Sequence, residues 1–257
     1  MNSVTMPTRG KRPATIQRSR GCPYHCTFCA GHITHGYKVR IRDDDNVIAE
    51  IEYLKAKWGV DEIWFQDDNI MADRGRVSEL FKRLEPLKLH IRLPNGIRTE
   101  NIGYDDIADM KKAGVYFTGI GIESGNERVL KRIKKSLNLT SVKYAINTFN
   151  RLDITTSGFF MLGLPTETWA EMEDTVRFAL STKLNHAQFG IFIPYSGCED
   201  ENEHSLLPEK ELIKIQRNAT LRFYLRPRII WGLIKNFHWS QVKALLEHPW
   251  FNQWRGR

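Results

Sequence analysis

Residues 13–29 read PATIQRSRGCPYHCTFC, a short extended run followed by a glycine and then three cysteines within eight positions. Segment 14–17 has strand character, and Gly21 and Pro23 favour a tight loop leaving it. In a parallel α/β architecture such a loop emerges at the C-terminal face of the sheet, where active sites collect. Cys22, Cys26 and Cys29 follow an i, i+4, i+7 spacing, so even a locally helical loop turns all three thiols to one side.

Outward from this stretch the chain alternates. β-branched or aromatic runs recur at 62–65, 89–93, 115–122, 154–162 and 188–193, which with 14–17 makes six expected strands. Between them lie stretches with apolar residues at helical spacing: 46–58, with Val47, Ile48, Ile51 and Leu54 on one side, then 76–87 and 105–113. Asp45 and Thr140 are the expected caps, the latter opening the stretch that holds Val142, Ala145 and Ile146. Strand, helix, strand in repetition implies parallel strands joined by right-handed crossovers. The expected fold is α/β, a partial (β/α)6 TIM-type barrel over residues 1–195 with a C-terminal helical extension over 196–257. Helix-like sequence at 208–224 and 239–247 forms that extension, with Trp231, Trp239, Trp250 and Trp254 interleaved with Arg226, Arg228, Lys235, Lys243 and Arg255. Such a mixture stacks bases or meets a membrane interface in some proteins, and more often packs over a barrel mouth.

The 257 residues are enough for one large domain with a full core. Hydrophobic residues at 41% and charged residues at 26% exclude a disordered chain, and the net charge of +8 hints at an anionic partner without specifying one. No apolar run approaches the roughly 18 residues of a membrane span, and the basic first twenty residues hold no secretory apolar core. The expected location is the cytoplasm. There, three clustered cysteines read as metal binding and not as a disulfide framework, while Cys198 stands alone in a polar loop.

Three thiolates are one short of the four that hold a structural zinc or an ordinary electron-transfer cluster. Either a fourth ligand comes from elsewhere, with His25, His32, His35 and Cys198 as candidates, or one metal position stays open. The first case describes a zinc-dependent nucleic-acid-binding module, although zinc sites usually pair a second C-x-x-C with the first and none exists here. The histidines are otherwise expected to be exposed loop residues.

The motif C-x-x-x-C-x-aromatic-C, with Phe28 before its last cysteine, closely resembles the radical S-adenosylmethionine superfamily. Six further segments follow in order: IWFQDDN (63–69), NGIRTENI (95–102), IGIESGNERVLKRIKK (120–135), GFFMLGLPTET (158–168), FIPYSG (192–197) and FYLRPR (223–228). Together they resemble the cobalamin-associated branch, the magnesium-protoporphyrin cyclase-like and class B methyltransferase-like enzymes. The resemblance implies that Cys22, Cys26 and Cys29 hold a four-iron four-sulfur cluster whose fourth iron is chelated by S-adenosylmethionine. It places Phe28 near the adenine, Asp67, Asp68 and Asn69 at the methionine amino group, Glu123 and Ser124 at the ribose, and Gly163 along the cofactor.

The implied first step takes one electron from an external one-electron reductant, cleaves S-adenosylmethionine reductively, and abstracts hydrogen from a small-molecule or lipid-like substrate. No catalytic residue for the later steps is singled out. Thirteen residues precede the first expected strand, and the Asp-x-His-x-x-Gly loop that ligates cobalamin in that branch does not occur. Cobalamin is therefore expected only from another domain or a separate cobalamin-binding subunit, or the chain is a fragment or a self-sufficient enzyme. A tRNA-modifying radical enzyme is the alternative consistent with the basic charge.

Overall fold

The structure, a computed structural model, describes residues 8–100 and 102–235. Six parallel strands form one sheet in chain order: β1 (Pro13–Ile16), β2 (Glu62–Phe65), β3 (His90–Ile97), β4 (Val115–Glu123), β5 (Thr155–Leu162) and β6 (His186–Ile191). Ala14 pairs with Ile63, Ile63 with Ile91, Phe117 with Thr155 and Ser157 with His186. β1 and β6 stand at the two ends of the order and the sheet stays open, so this is the expected partial barrel, with its two edges unjoined.

The strands and helices form where apolar periodicity meets a shared core. Along β4 every residue from Val115 to Ile122 is buried, because a parallel sheet of this class is covered on both faces and its central strands read as continuous apolar runs. Ile63, Ile91, Ile120 and Phe160 face helices α2 (Asp44–Trp58), α3 (Arg74–Leu84), α4 (Tyr104–Ala113), α6 (Leu139–Arg151) and α7 (Trp169–Ser181), which contribute Ile51, Leu80, Met110, Ile146 and Val176. Gly114 turns α4 into β4 at φ +103°, where a Cβ would stand 2.0 Å from the Leu89 carbonyl oxygen. Only glycine fits that turn.

Two expected caps are corrected. Asp43 caps α2, its side chain accepting from Asp45 N, and Asn138 caps α6 by accepting from Ser141 N. A cap needs extended backbone so that its oxygen reaches back to the first turn, and these residues have ψ of 130° and 116°. Asp45 and Thr140 already lie inside the helices. The helix expected over 76–87 ends at Leu84, Glu85–Leu87 forming a tighter 3-10 turn with Pro86 inside it.

Among the described residues four helices were not anticipated: α1 (Gly31–His35), α5 (Glu127–Arg132), α7 and the one at Pro227–Lys235, although the Thr168–Glu171 capping box announces α7. After β6 the chain forms a loop over residues 192–208, then α8 (Glu209–Tyr224) and α9 (Pro227–Lys235). Phe223 of α8 meets Phe189 of β6 edge-on at 6.4 Å, and Gln216 donates to the Phe189 carbonyl at 2.6 Å. The helix expected at 239–247, with Trp239, Trp250 and Trp254, lies outside the described residues. Among those described, no helix is long and apolar enough to cross a membrane.

Candidate functional site

The chain leaves β1 at the C-terminal edge of the sheet, makes an excursion over residues 21–39, and closes it with an antiparallel ladder of Ser19–Arg20 on Arg40–Ile41. Gly21 opens the excursion at φ +93°, where a Cβ would meet the Lys38 carbonyl oxygen at 2.4 Å, and its N–H donates to Asp68 Oδ2 at 2.8 Å. Cys22 N donates to the Gly36 carbonyl and Cys29 N to the Cys26 carbonyl, folding the three thiols toward one hollow. That hollow is a cavity of about 280 Å³ walled by Cys22, Cys26, Cys29, Tyr24, Asp68 and Asn95 among others. Cys22 and Cys26 are half-buried and Cys29 is exposed, and none of them is in a disulfide. Among the described residues no three His, Cys, Asp or Glu side chains gather as a ligand set for a single ion.

Thr27, between the second and third cysteines, is fully buried and pinned from three directions. Its N–H donates to the Ile133 carbonyl, its carbonyl accepts from Asp200 N, and its hydroxyl donates to Asp200 Oδ2. Asp200 in turn accepts from Arg132 Nη2 at 3.0 Å. Burial pushes the Cys22 and Cys26 thiols above their ordinary value, and at Cys26 the cations Lys135 and Arg98 pull partly the other way.

The other residues singled out from the sequence take distinct places. Phe28 is half-buried and packs against the core. Asp67 is buried beneath the cavity, accepting from Arg18 N and from the backbone and hydroxyl of Ser19, so that it ties the end of β2 to the end of β1. Desolvation raises its carboxyl above the usual range. Asp68 reaches the cavity wall, with His35 Nδ1 2.8 Å away. His35 is thus half-buried and partnered and not the exposed loop histidine expected. His32 is half-buried as well, while His25 is exposed as expected, and both rings stack with Tyr37, His25 at 3.9 Å and His32 at 4.7 Å. Asn69 is buried and caps the short turn Ile70–Ala72 by accepting from Met71 N.

Glu123 ends β4 with a left-handed φ of +67° and receives Lys135 Nζ at 3.0 Å. Ser124 is fully buried, its hydroxyl 3.0 Å from that of Thr175, and it fixes the strand end to α7. Gly163 has φ +76° and donates to Glu167 Oε2 at 2.7 Å; a Cβ on it would strike Leu212 and Ser205. Cys198, placed in a polar loop from the sequence, is only 5% exposed. Sequence reading missed Arg98, whose Nη1 lies 3.7 Å from Cys26 Sγ, together with Lys135, Thr27, Asp200 and Glu167. Arg98, Thr27, Lys135 and Glu167 all stood inside quoted segments, so what was hidden was their burial and their partners.

The Radical SAM superfamily profile matches residues 16–179. An uncharacterized methyltransferase of Pyrococcus horikoshii is 27% identical over 92% of this chain and 54% of its own length. Cytidylyl-2-hydroxyethylphosphonate methyltransferase of Streptomyces wedmorensis is 34% identical over 75% of this chain and 37% of its own. The chain thus spans about half or less of the length of these relatives. Among solved structures, the radical S-adenosylmethionine methyltransferase TsrM of Kitasatospora setae, with cobalamin and a 4Fe-4S cluster bound, superimposes with a TM-score of 0.63 at 15% identity, over 69% of this chain and 34% of that one.

Proposed function

Because the chain belongs to the radical S-adenosylmethionine superfamily, we propose that Cys22, Cys26 and Cys29 hold a four-iron four-sulfur cluster in the cavity they wall. The observation that carries this reading is the donor set: three free thiols share one hollow at the C-terminal face of the sheet. When bound, such a cluster supplies one electron for reductive cleavage of the carbon–sulfur bond of S-adenosylmethionine.

The chain's own residues bind and orient. Asp68, on the cavity wall, pairs with the methionine ammonium, and Asp67 and Asn69 hold the turn that presents it. Glu123 faces the ribose hydroxyls while Ser124 locks the strand end behind it. Phe28 would pack beside the adenine, and the backbone at Gly163 would run along the cofactor, its missing side chain making way for Leu212 and Ser205. Thr27, held by Asp200 and Ile133, keeps the thiols in register. The reading includes a barrel over 1–195, an extension over 196–257, work in the cytoplasm, an external one-electron reductant and a small-molecule or lipid-like substrate. Methyl transfer is the reaction class the relatives favour, with cobalamin supplied by another domain or by a separate subunit.

Anaerobic reconstitution tests the reading. Wild-type protein is expected to take up about four irons and four sulfides and to release 5′-deoxyadenosine slowly from S-adenosylmethionine under dithionite. Alanine at Cys22, Cys26 or Cys29 abolishes the cluster, and Cys198→Ala keeps it. Equal iron loss from Cys198→Ala would overturn the three-thiol assignment.

A further inference from the structure

Arg98 follows directly on β3, and its side chain is only 8% exposed. Its contacts come from three segments: its own strand end, the stretch after α5, and the cysteine loop. Nε donates to Glu100 Oε1 at 2.9 Å, and Nη2 donates both to Glu100 and to the Lys135 carbonyl. The guanidinium carbon sits 3.6 Å from the centre of the Tyr24 ring, which lies in the cysteine loop between Cys22 and Cys26. The remaining arm, Nη1, points at Cys26 Sγ from 3.7 Å, within the range of an N–H···S hydrogen bond. A cation with every other direction occupied is thereby held against one of the three thiols.

A second cation, Lys135 Nζ, is buried nearby and paired with Glu123. Glu123 is answered by Lys135 and Glu100 by Arg98, so removing Arg98 leaves Glu100 as the unbalanced charge beside the loop. Hydrogen bonds to cluster sulfurs and nearby net charge are the levers by which a protein sets a cluster's reduction potential.

We propose that Arg98 tunes the cluster this chain holds: its guanidinium, donating to the Cys26 sulfur, favours the reduced state and so eases entry of one electron from an external donor. This rests on the assignment of the cluster to Cys22, Cys26 and Cys29. The step adds one electron to the centre and moves no proton. Arginine suits the position because its planar fork reaches Glu100, the Lys135 carbonyl and the sulfur together, whereas a lysine ammonium reaches fewer of them at once.

The test is the midpoint potential of the anaerobically reconstituted full chain, followed by electron paramagnetic resonance during titration with dithionite in the absence of S-adenosylmethionine. Arg98→Gln is expected to keep its iron and sulfide but to lower the equilibrium constant for one-electron reduction at least tenfold, a shift of about 59 mV to more negative potential. Arg98→Lys, which retains the charge, is expected to shift by less than half of that. Glu100→Gln removes the counter-charge and moves the potential upward. An Arg98→Gln potential equal to wild type overturns the inference. Where Arg98→Gln does not retain its cluster, Glu100→Gln decides, and an unmoved or lowered potential there overturns it as well. Wild-type protein that takes up no iron and sulfide overturns the cluster assignment itself, a result distinct from unchanged potentials in loaded variants.

Discussion

Glu167 has no exposed surface; Gly163 N and Leu164 N donate to its Oε2 at 2.7 and 3.0 Å, while Oε1 finds no partner among the described residues. Burial dominates the two amide donors and pushes the group up to about 7. Between the unfolded value of about 4.3 and that raised value, the folded protein keeps a proton that the unfolded chain has released. The resulting stabilisation is complete below the unfolded value and is lost as pH rises through about 7. The loss is on the order of 3 kcal/mol, at about 1.4 kcal/mol for each unit. Stability measured by urea unfolding is thus expected to fall between pH 5 and pH 8, and Glu167→Gln to flatten that slope. A slope unchanged by the substitution would show that the carboxyl titrates normally. Gly163 and Leu164 lie within the segment that the resemblance places along the cofactor, so the same variant also reports how firmly that segment is held.

At the scale of elements, the cysteine loop owes its shape to a distant one. Thr27 and Asp200 are 173 residues apart, yet two hydrogen bonds join them, and Arg132 of α5 completes the chain of contacts. Asp200→Ala leaves the Thr27 hydroxyl and the Arg132 guanidinium without that partner, at a cost of about 1–3 kcal/mol for buried groups of this kind. The expected outcome is a lower unfolding midpoint together with poorer iron retention, although Asp200 touches no cysteine sulfur. Full iron content in a destabilised variant would confine Asp200 to a stability role. The helix caps teach a related lesson. Asp43 and Asn138 lie two residues before Asp45 and Thr140, and only backbone dihedrals, ψ 130° and 116°, separate a cap from a first-turn residue of similar chemistry.

For the molecule as a whole, the open edge of the sheet at β6 is covered by α8, where Phe223 is fully buried against Phe189 and Tyr224 donates to the Ala187 carbonyl at 3.2 Å. Phe223→Ala is expected to cost about 3–5 kcal/mol, and Trp231→Ala, at a side chain in a residue 70% exposed, no more than about 0.5 kcal/mol. Chemical denaturation of both variants measures the difference, and a small effect at Phe223 would mean that α8 lies outside the cooperative core. The six strands and most of the intervening helices could be read within a few residues from the chain, because a sheet covered on both faces writes apolar runs and amphipathic helices write a 3.6-residue period. The three cysteines were equally plain, since a loop that gathers them carries its own spacing. Arg98 beside Cys26, His35 beside Asp68 and Asp200 beside Thr27 left no such trace. Their partners lie 72, 33 and 173 positions away, and what makes each matter is loss of water and the nearness of an opposite charge or a hydrogen-bonding partner. Those quantities exist only once the strands have stacked and the loops at their C-terminal ends face one another.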